Sequence, residues 1–232
     1  MSYILKLESR RESGTNLYHL RFAADGAVRE SYHTPGQFLV IETPDGGDGR
    51  RKGFFAIASP PGEDHIELLI KRNGEPATTL CDAEPGAEFE CSEAQGTGFA
   101  PVPRNADRVH LFSMGSGLAP LRAYILSSMR RKSGVPAADK LCLWQGSFTR
   151  EHLPFREEYE KWESAGVEIV LCLDDQADFP GDSGNVVQRL KRNTPDLRDS
   201  AAFWIGSKEF GQALLVATGQ LGLAPERLMT NF

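Results

Sequence analysis

Residues 109–129 read VHLFSMGSGLAPLRAYILSSM, and this stretch decides the fold because a strand pattern changes to a helix pattern within it. The apolar run at 109–112 is typical of a buried strand, and apolar residues follow at helical spacing from Leu118 to Met129. Gly115-Ser116-Gly117 lies between the two patterns. Two glycines let a ligand approach the backbone, and the first N–H groups of a helix favour a pyrophosphate or a carboxamide. We predict a strand, a phosphate-binding loop and a helix; an ordinary tight turn is the alternative that a lone GxG leaves open.

The composition excludes several classes of protein. The chain has 232 residues, of which 40% are hydrophobic, and a net charge of -6. This acidic balance argues against a nucleic-acid-binding protein. No apolar run approaches the roughly 20 residues that span a bilayer, and the first residues lack the apolar segment of a signal peptide. We therefore expect a cytoplasmic protein with one large domain or two small ones.

The cysteines and histidines form no pattern typical of a metal site. The four cysteines are far apart and include no CxxC pair, so we predict buried thiols. The five histidines have no cysteine or carboxylate at metal or catalytic-triad spacing. We predict neither a metal ion nor an iron-sulfur cluster.

The first hundred residues predict an all-β domain. Its six short strands are predicted at 4–8, 17–22, 38–42, 54–58, 65–71 and 87–91. Glycine and proline separate these segments, and one helix is predicted at 77–83. Strands of this length and spacing are typical of a small closed barrel, so we predict a six-stranded antiparallel β-barrel.

From residue 108 onward, apolar runs alternate with helical patterns. The runs lie at 109–112, 141–144, 167–173 and 202–205, and the helices at 118–131, 153–164, 185–191 and 210–221. This alternation predicts a doubly wound parallel sheet, which binds ligands beyond the carboxyl ends of its strands. We place the boundary in a proline-rich connection, which gives domains of 1–104 and 105–232.

The order of these motifs resembles the ferredoxin-NADP(H) reductase-like superfamily over nearly the whole chain. Pro35-Gly36-Gln37-Phe38 is similar to that family's strand entry, and residues 115–120, GSGLAP, fit its GxGxxP motif. Residues 52–61 are similar to a little-characterised plant and bacterial branch. The resemblance implies a barrel that binds FAD or FMN and a second domain that binds NADH or NADPH.

The family's Arg-x-Tyr-Ser flavin motif falls on Gly53-Phe54-Phe55-Ala56, followed by Ile57. The resemblance implies that Phe55 lies against the flavin ring, where an aromatic side chain excludes water. Ala56 lacks the hydroxyl of the family's serine, and Gly53 lacks the charge of its arginine, which Arg51 or Lys52 could supply. The alternative for residues 54–57 is an ordinary apolar strand of the barrel.

Residues 71–80, KRNGEPATTL, resemble the second flavin motif, in which a helix start holds the pyrophosphate. The resemblance implies that Lys71, Gly74, Ala77 and Thr78 contribute to this site, with free N–H groups as donors. The alternative is an ordinary capped helix that bridges two strands of the barrel.

In the second domain, the resemblance assigns nucleotide binding to the glycine loop, Pro120 and Gly206. Ile205 stands where many members have a cysteine beside the nicotinamide. The carboxylates of Asp174 and Asp175, after the third apolar run, suit ribose hydroxyls and would repel a 2′-phosphate, so NADH is favoured; a solvated acidic loop over 174–182 is the alternative. The aromatic chain end, Phe232, is expected to cover the flavin or to close the domain interface.

The sequence therefore predicts a flavin-dependent oxidoreductase that passes electrons between NAD(P)H and an external acceptor through FAD. The catalytic residues implied are Phe55, Ala56 and Phe232. The acceptor, a protein or a small molecule, must come from elsewhere because the chain has no cysteine cluster. A partner-fed flavin carrier and a non-catalytic binding or regulatory module are the alternatives.

Overall fold

The structure is a computed structural model that describes residues 2–44, 49–131, 135–175 and 183–231. The strands in these residues are Tyr3–Glu12 (β1), Leu17–Ala24 (β2), Phe38–Pro44 (β3), Arg50–Ala56 (β4), His65–Lys71 (β5), Glu88–Cys91 (β6), Arg108–Met114 (β7), Leu141–Ser147 (β8), Glu168–Leu173 (β9), Ser200–Ile205 (β10) and Leu228–Met229 (β11). The α-helices are Gly26–Ser31 (α1), Ala77–Asp82 (α2), Leu118–Met129 (α3), Tyr159–Ser164 (α4), Val186–Asn193 (α5) and Lys208–Gln220 (α6).

The first sheet is antiparallel and has six strands in the order β4-β3-β6-β1-β2-β5. Its two outer strands meet, because Ile57, just after β4, forms an isolated bridge with Leu68 of β5. The Ala58 N–H also donates to the Glu67 carbonyl oxygen at 2.7 Å. The sheet therefore curls round until its edges touch, as the predicted six-stranded barrel requires.

The second sheet has five parallel strands in the order β11-β10-β7-β8-β9. Alternate side chains of β7 enter two different cores. Leu111 contacts the cluster that includes Leu121 and Trp162 of α3 and α4, whereas Phe112 contacts the cluster that includes Leu190 and Leu214 of α5 and α6. Helices therefore cover both faces, and the predicted doubly wound sheet is confirmed. The strand order reverses between β7 and β10, which is where such sheets bind ligands.

Some local predictions differ from the structure. The helix predicted over 153–164 begins at Tyr159, because buried Phe155 has a left-handed backbone with φ 54° and its N–H donates to Ser13 Oγ at 2.9 Å. Helix α1 was not predicted. All four cysteines are buried thiols, as predicted. No helix in the described residues is long and apolar enough to cross a membrane. The boundary placed between 104 and 105 falls in the connection from β6 to β7, and the division into two domains stays a prediction.

One buried guanidinium joins the two sheets. Arg122 of α3 is 6% exposed, and its Nη1 donates to the Ala58 carbonyl oxygen at 2.9 Å and to Glu67 Oε2 at 2.6 Å. Its Nε and Nη2 donate to the Glu158 carboxylate at 2.8 to 3.0 Å. The Phe155 ring lies below, with its centroid 4.5 Å from Arg122 Cζ. The first sheet supplies Ala58 and Glu67, whereas the second half of the chain supplies the other groups.

Glu67 is surrounded by cationic and imidazole groups. His19 Nε2 and His65 Nε2 each lie 3.5 Å from Glu67 Oε1, on the side away from Arg122. Burial alone would raise the pKa of the Glu67 carboxyl, but His19 and Arg122 lower that pKa well below its usual range. The carboxylate therefore stabilises the fold at neutral pH. This contribution is lost as the pH falls below the unfolded-state pKa towards the lowered folded-state pKa.

We expect Arg122→Met to lower the free energy of unfolding by about 3–5 kcal/mol, because the buried Glu67 carboxylate and the half-buried Glu158 carboxylate lose their cation. Urea denaturation at neutral pH measures this. Arg198→Met is the matched control, because Arg198 pairs with Asp196 at the surface with 76% of its side chain exposed; its loss should leave the free energy of unfolding nearly unchanged, since water screens an exposed pair. Equal effects of the two variants would show that Arg122 does not hold the sheets together.

Candidate functional site

A cleft of about 440 Å³ lies where the end of β4 faces the strand-order reversal of the second sheet. We call it the main cleft. The predicted site residues that line it are Phe54, Phe55, Ala56, Lys71, Ala77, Ser116, Gly117, Pro120 and Gly206. Nine residues that the resemblance assigns to two different motif groups thus share one cleft, although up to about 150 positions of sequence separate them.

A second cleft of about 380 Å³ adjoins the first and shares Lys71, Met114 and Ser116 with it. We call it the side cleft. It also contains predicted residues Gly115 and Asp174. The two clefts meet at the loop after β7, so an elongated ligand could pass from the first sheet to the end of β9.

Gly53 makes room for an aromatic ring. A Cβ at Gly53 would lie 2.6 Å from Phe55 Cε2 and 2.7 Å from Pro76 Cγ, closer than real Cβ atoms come. The Phe55 ring and Pro76 therefore occupy the space where an arginine side chain would begin. Phe54, on the opposite side of the strand, is 72% exposed, and its ring centroid lies 5.8 Å from that of Phe38. The cleft thus presents bare aromatic surface that a flat ligand could cover.

The glycines after β7 and β10 have a packing role that does not need a ligand. A Cβ at Gly117 would lie 2.8 Å from the Ile205 carbonyl oxygen, and a Cβ at Gly206 would lie 2.6 Å from Phe210 Cδ1. Gly115 has φ 50° and open space around it. Residues 115–117 form a single 3-10 turn that leads directly into α3. The glycines therefore allow two strand ends to approach closely at the strand-order reversal.

The predicted pyrophosphate site at α2 differs from the expectation. The Thr78 N–H and Oγ1 both donate to the Gly74 carbonyl oxygen, at 2.9 and 3.1 Å. The Thr79 N–H and Oγ1 donate to Glu75 Oε2, at 3.2 and 2.6 Å. The prediction of free N–H groups is wrong for Thr78, because the glycine turn already accepts from it, and the N–H group of the next residue, Thr79, is likewise taken by the Glu75 carboxylate. Whether Lys71, Gly74, Ala77 and Thr78 bind a cofactor stays a prediction.

Asp174 follows β9 and its N–H donates to the Ser147 carbonyl oxygen at 3.1 Å. Partial burial raises the pKa of its carboxyl above the usual value. Asp174 and its neighbour Asp175 are both exposed, but only Asp174 lines the side cleft, together with Ser116. The carboxylate is therefore placed to meet a ligand that also contacts the glycine loop.

Three predicted residues of the described chain, Ile57, Gly74 and Thr78, line neither cleft. Ile57 is fully buried in the core of the first sheet, where it packs beneath the cleft residues that precede it in the chain and does not face a ligand. Phe232 lies outside the described residues. The preceding residue, Asn231, donates from Nδ2 to the Gly36 carbonyl oxygen at 2.6 Å, which brings the end of the described chain to the first sheet.

Sequence reasoning missed the apolar rim of the clefts. Met114 is 42% exposed and lines both clefts, and Phe148 is 56% exposed and lines the side cleft. Each stands at or directly after the carboxyl end of a parallel strand, which is the signal that could have identified them. Large apolar side chains left in water at such an edge are typical of a ligand site.

The sequence predicts no carboxylate at metal-ligand spacing from any histidine, but the structure brings one histidine and two carboxylates close together. Ligand atoms of Glu63, Asp64 and His65 lie within 4.8 Å of one another. His65 Nδ1 is 2.7 Å from Asp64 Oδ1, and Glu63 pairs with Arg130. The carboxylates thus already have partners within the chain.

No protein-family model and no curated protein sequence matches this chain. Solved structures do match it. The flavohem-like FAD/NAD-binding domain of nitric oxide dioxygenase from Vibrio cholerae has a TM-score of 0.84 and 18% identity, over 98% of this chain and 97% of that one. A ferredoxin NADP+ reductase from Neisseria gonorrhoeae, with bound FAD and NADP, has a TM-score of 0.80 and 18% identity, over 98% and 96%. The cytochrome b5 reductase domain of Ulva prolifera nitrate reductase has a TM-score of 0.80 and 14% identity, over 99% and 97%.

These likenesses extend over nearly the whole of each chain and establish the fold. It is the two-sheet fold of the flavin- and NAD(P)-binding reductases related to ferredoxin-NADP reductase. The fold predicted from the order of the motifs is therefore confirmed.

We expect Gly117→Ala to destabilise the protein by about 1–3 kcal/mol, because the new methyl group would press on the end of β10. Thermal denaturation of the purified chain measures this. Gly219→Ala is the control: it lies within α6, has nothing within 4 Å of the added Cβ, and should be neutral or stabilising by up to about 1 kcal/mol. A neutral Gly117→Ala would mean that the two strand ends do not approach as closely as described.

Proposed function

We propose that this protein is a flavin-dependent oxidoreductase that passes electrons between NAD(P)H, with NADH preferred, and an external acceptor through bound FAD. The observation that carries the proposal is the main cleft. It brings Phe55 and Ala56, at the end of β4, to face Gly117 and Gly206 at the strand-order reversal of the second sheet. One flat ligand held by the first sheet and another held by the second would meet there.

The shape and chemistry of the main cleft fit a flavin ring. Phe54 and Phe55 supply aromatic surface, and both Phe55 and Ile205 would exclude water from a ring system held between them. Arg51, on the same face of β4 as Phe55, is exposed, and no carboxylate in the described residues pairs with it. We propose that Arg51 supplies the charge for a flavin phosphate, a role that Lys52 cannot fill while it pairs with Glu42 at 2.8 Å. FMN in place of FAD is the alternative.

The nicotinamide nucleotide is proposed to enter from the second sheet. Its nicotinamide end would lie against Gly117 and Gly206, and the rest of it would extend through the side cleft to Asp174. A carboxylate accepts hydrogen bonds from ribose hydroxyls and repels a 2′-phosphate, which supports NADH as the preferred nucleotide.

The residues of the main cleft position rings and exclude water, and the proposed hydride transfer needs no acid or base from them. Bound FAD would accept hydride from the nicotinamide and release electrons singly to the acceptor. Close approach of the two rings is then the main requirement on the protein. Ala56 offers no hydroxyl and Ile205 no thiol, so the chain lacks two groups found in the family's motifs. We infer a slower hydride transfer than those groups would allow.

The electron acceptor is proposed to be a separate protein or small molecule, because the chain's four cysteines are dispersed, buried thiols. Thiols of this kind are also typical of a reducing compartment, which supports a cytoplasmic location. No feature of the composition supports a nucleic-acid partner.

A partner-fed flavin carrier, or a non-catalytic binding module, is the second candidate. The observation that favours the binding module is the start of α2, where the Glu75 carboxylate accepts from Thr79 at the position proposed for a cofactor pyrophosphate. A fixed negative charge at that point weakens phosphate binding.

The first test is an absorption spectrum of the purified chain after incubation with FAD and removal of the excess. We expect flavin bands that bleach anaerobically on addition of NADH, and more slowly with NADPH. A bound flavin that neither nucleotide reduces would favour the partner-fed carrier. If the protein retains neither FAD nor FMN, the oxidoreductase proposal fails and the non-catalytic binding module is the remaining candidate.

Replacement of Asp174 tests the nucleotide preference. We expect Asp174→Ser to reduce the preference for NADH over NADPH about tenfold, since a like charge no longer faces the 2′-phosphate. Stopped-flow flavin reduction with each nucleotide measures it. Asp175→Ser is the matched control, because it removes the adjacent exposed carboxylate outside both clefts. An unchanged preference in Asp174→Ser, or an equal change in both variants, would contradict the assignment.

A further inference from the structure

A third cavity, of about 220 Å³, lies on another part of the junction between the two sheets. We call it the linker cavity. Its walls come from the turn after α1, from the chain that leaves the first sheet, and from α3 and the residues beyond it. They include Pro35, Pro61, Phe99, Tyr124 and Ser127. None of these residues lines the main cleft or the side cleft, so the linker cavity is a separate site.

Two of its wall residues carry buried hydroxyl groups that have no partner. Tyr124 is 3% exposed and Ser127 is 1% exposed. Neither Tyr124 Oη nor Ser127 Oγ has a hydrogen-bond partner among the residues described. The next residue, Ser128, is equally buried, but its hydroxyl donates to the Pro136 carbonyl oxygen. Since a buried hydroxyl without an acceptor is unfavourable, two such groups beside one cavity indicate that the acceptor comes from outside the chain.

The remaining walls specify the body of the ligand. Pro35, Pro61 and Phe99 offer apolar surface, and the Tyr124 ring lies 5.7 Å from the Phe99 ring, measured between centroids. An apolar cavity of roughly 150 Å³ holds a benzene molecule, so the volume here is enough for one ring with a polar substituent. Tyr124 and Ser127 are three positions apart on α3 and therefore share one face of the helix, which lets both contact the same ligand.

We propose that the linker cavity binds a monocyclic aromatic compound whose oxygen, phenolic or carboxylic, accepts hydrogen bonds from Tyr124 and Ser127. The ligand contacts the first sheet, the connecting chain and α3 at once. It therefore acts as an effector of the junction and not as the electron acceptor of the main cleft. The proposal is independent of the proposed oxidoreductase activity.

The test is a fluorine NMR titration of 4-fluorophenol and 4-fluorobenzoate with the full chain, made with FAD and NAD+ in excess so that the other clefts are filled. At least one of the two probes is expected to bind saturably. Tyr124→Phe and Ser127→Ala are each expected to weaken that binding about tenfold, because each loses one hydrogen bond and little volume. Fluorobenzene, which has no acceptor oxygen, is expected to bind at least about tenfold more weakly.

Ser128→Ala is the matched control, since it deletes the adjacent buried serine hydroxyl outside the cavity, and it should bind the probe as the wild type does. Absence of saturable binding, or equal binding by the wild type, Tyr124→Phe and Ser127→Ala, would overturn the proposal. Thermal unfolding without a probe gives a second readout. Because the Tyr124 hydroxyl has no partner, Tyr124→Phe should leave the midpoint unchanged or raise it. A lowered midpoint would show that ordered water satisfies the hydroxyl, and would also overturn the proposal.

Discussion

The guanidinium of Arg122 is the contact on which the arrangement of the two sheets depends. It is buried, it donates to groups of both halves of the chain, and it faces the buried carboxylate of Glu67 and the half-buried carboxylate of Glu158. Such a network stabilises only when every member is satisfied, because an unpaired buried charge is far more unfavourable than a missing contact. It therefore permits one relative placement of β5 and α3. The main cleft exists because that placement sets the end of β4 opposite the glycine loop.

The larger features of the fold could be predicted because they depend on local patterns. The spacing of apolar residues changes from a strand to a helix pattern at residues 115–117, and strands and helices alternate after residue 108. Both patterns can be read from the sequence, because a buried strand or a helix with one buried face leaves its own spacing of apolar residues. Arg122 could not be identified in the same way. A charged residue on a helix is usually exposed, and its carboxylate partners Glu67 and Glu158 lie 55 and 36 positions away in the sequence. Only the folded chain brings them together.

Only part of the candidate site could be predicted, because some of its features depend on local sequence and others on contacts that form only in the folded chain. A backbone that requires glycine, as at Gly117, can be recognised in the sequence because the glycine itself is visible there. A side chain that competes with a ligand for the same N–H group cannot be recognised in this way. Glu75 illustrates this at α2, where its carboxylate accepts from Thr79. The contact of the Phe55 ring with Gly53 and Pro76 is another case, because the sequence shows a missing arginine but not the ring that fills its place.

Helix α3 links features that have so far been treated apart. Its first residues follow the glycine loop, its middle carries Arg122, and its later turns carry Tyr124 and Ser127. A hydrogen-bonded helix of 12 residues is a stiff rod about 18 Å long that hardly compresses along its axis. Because Arg122 fixes the middle of this helix to the first sheet, the linker cavity and the loop after β7 are held at a set distance from each other. The spacing between the two rings proposed for the main cleft is therefore set by the same helix that forms a wall of the linker cavity.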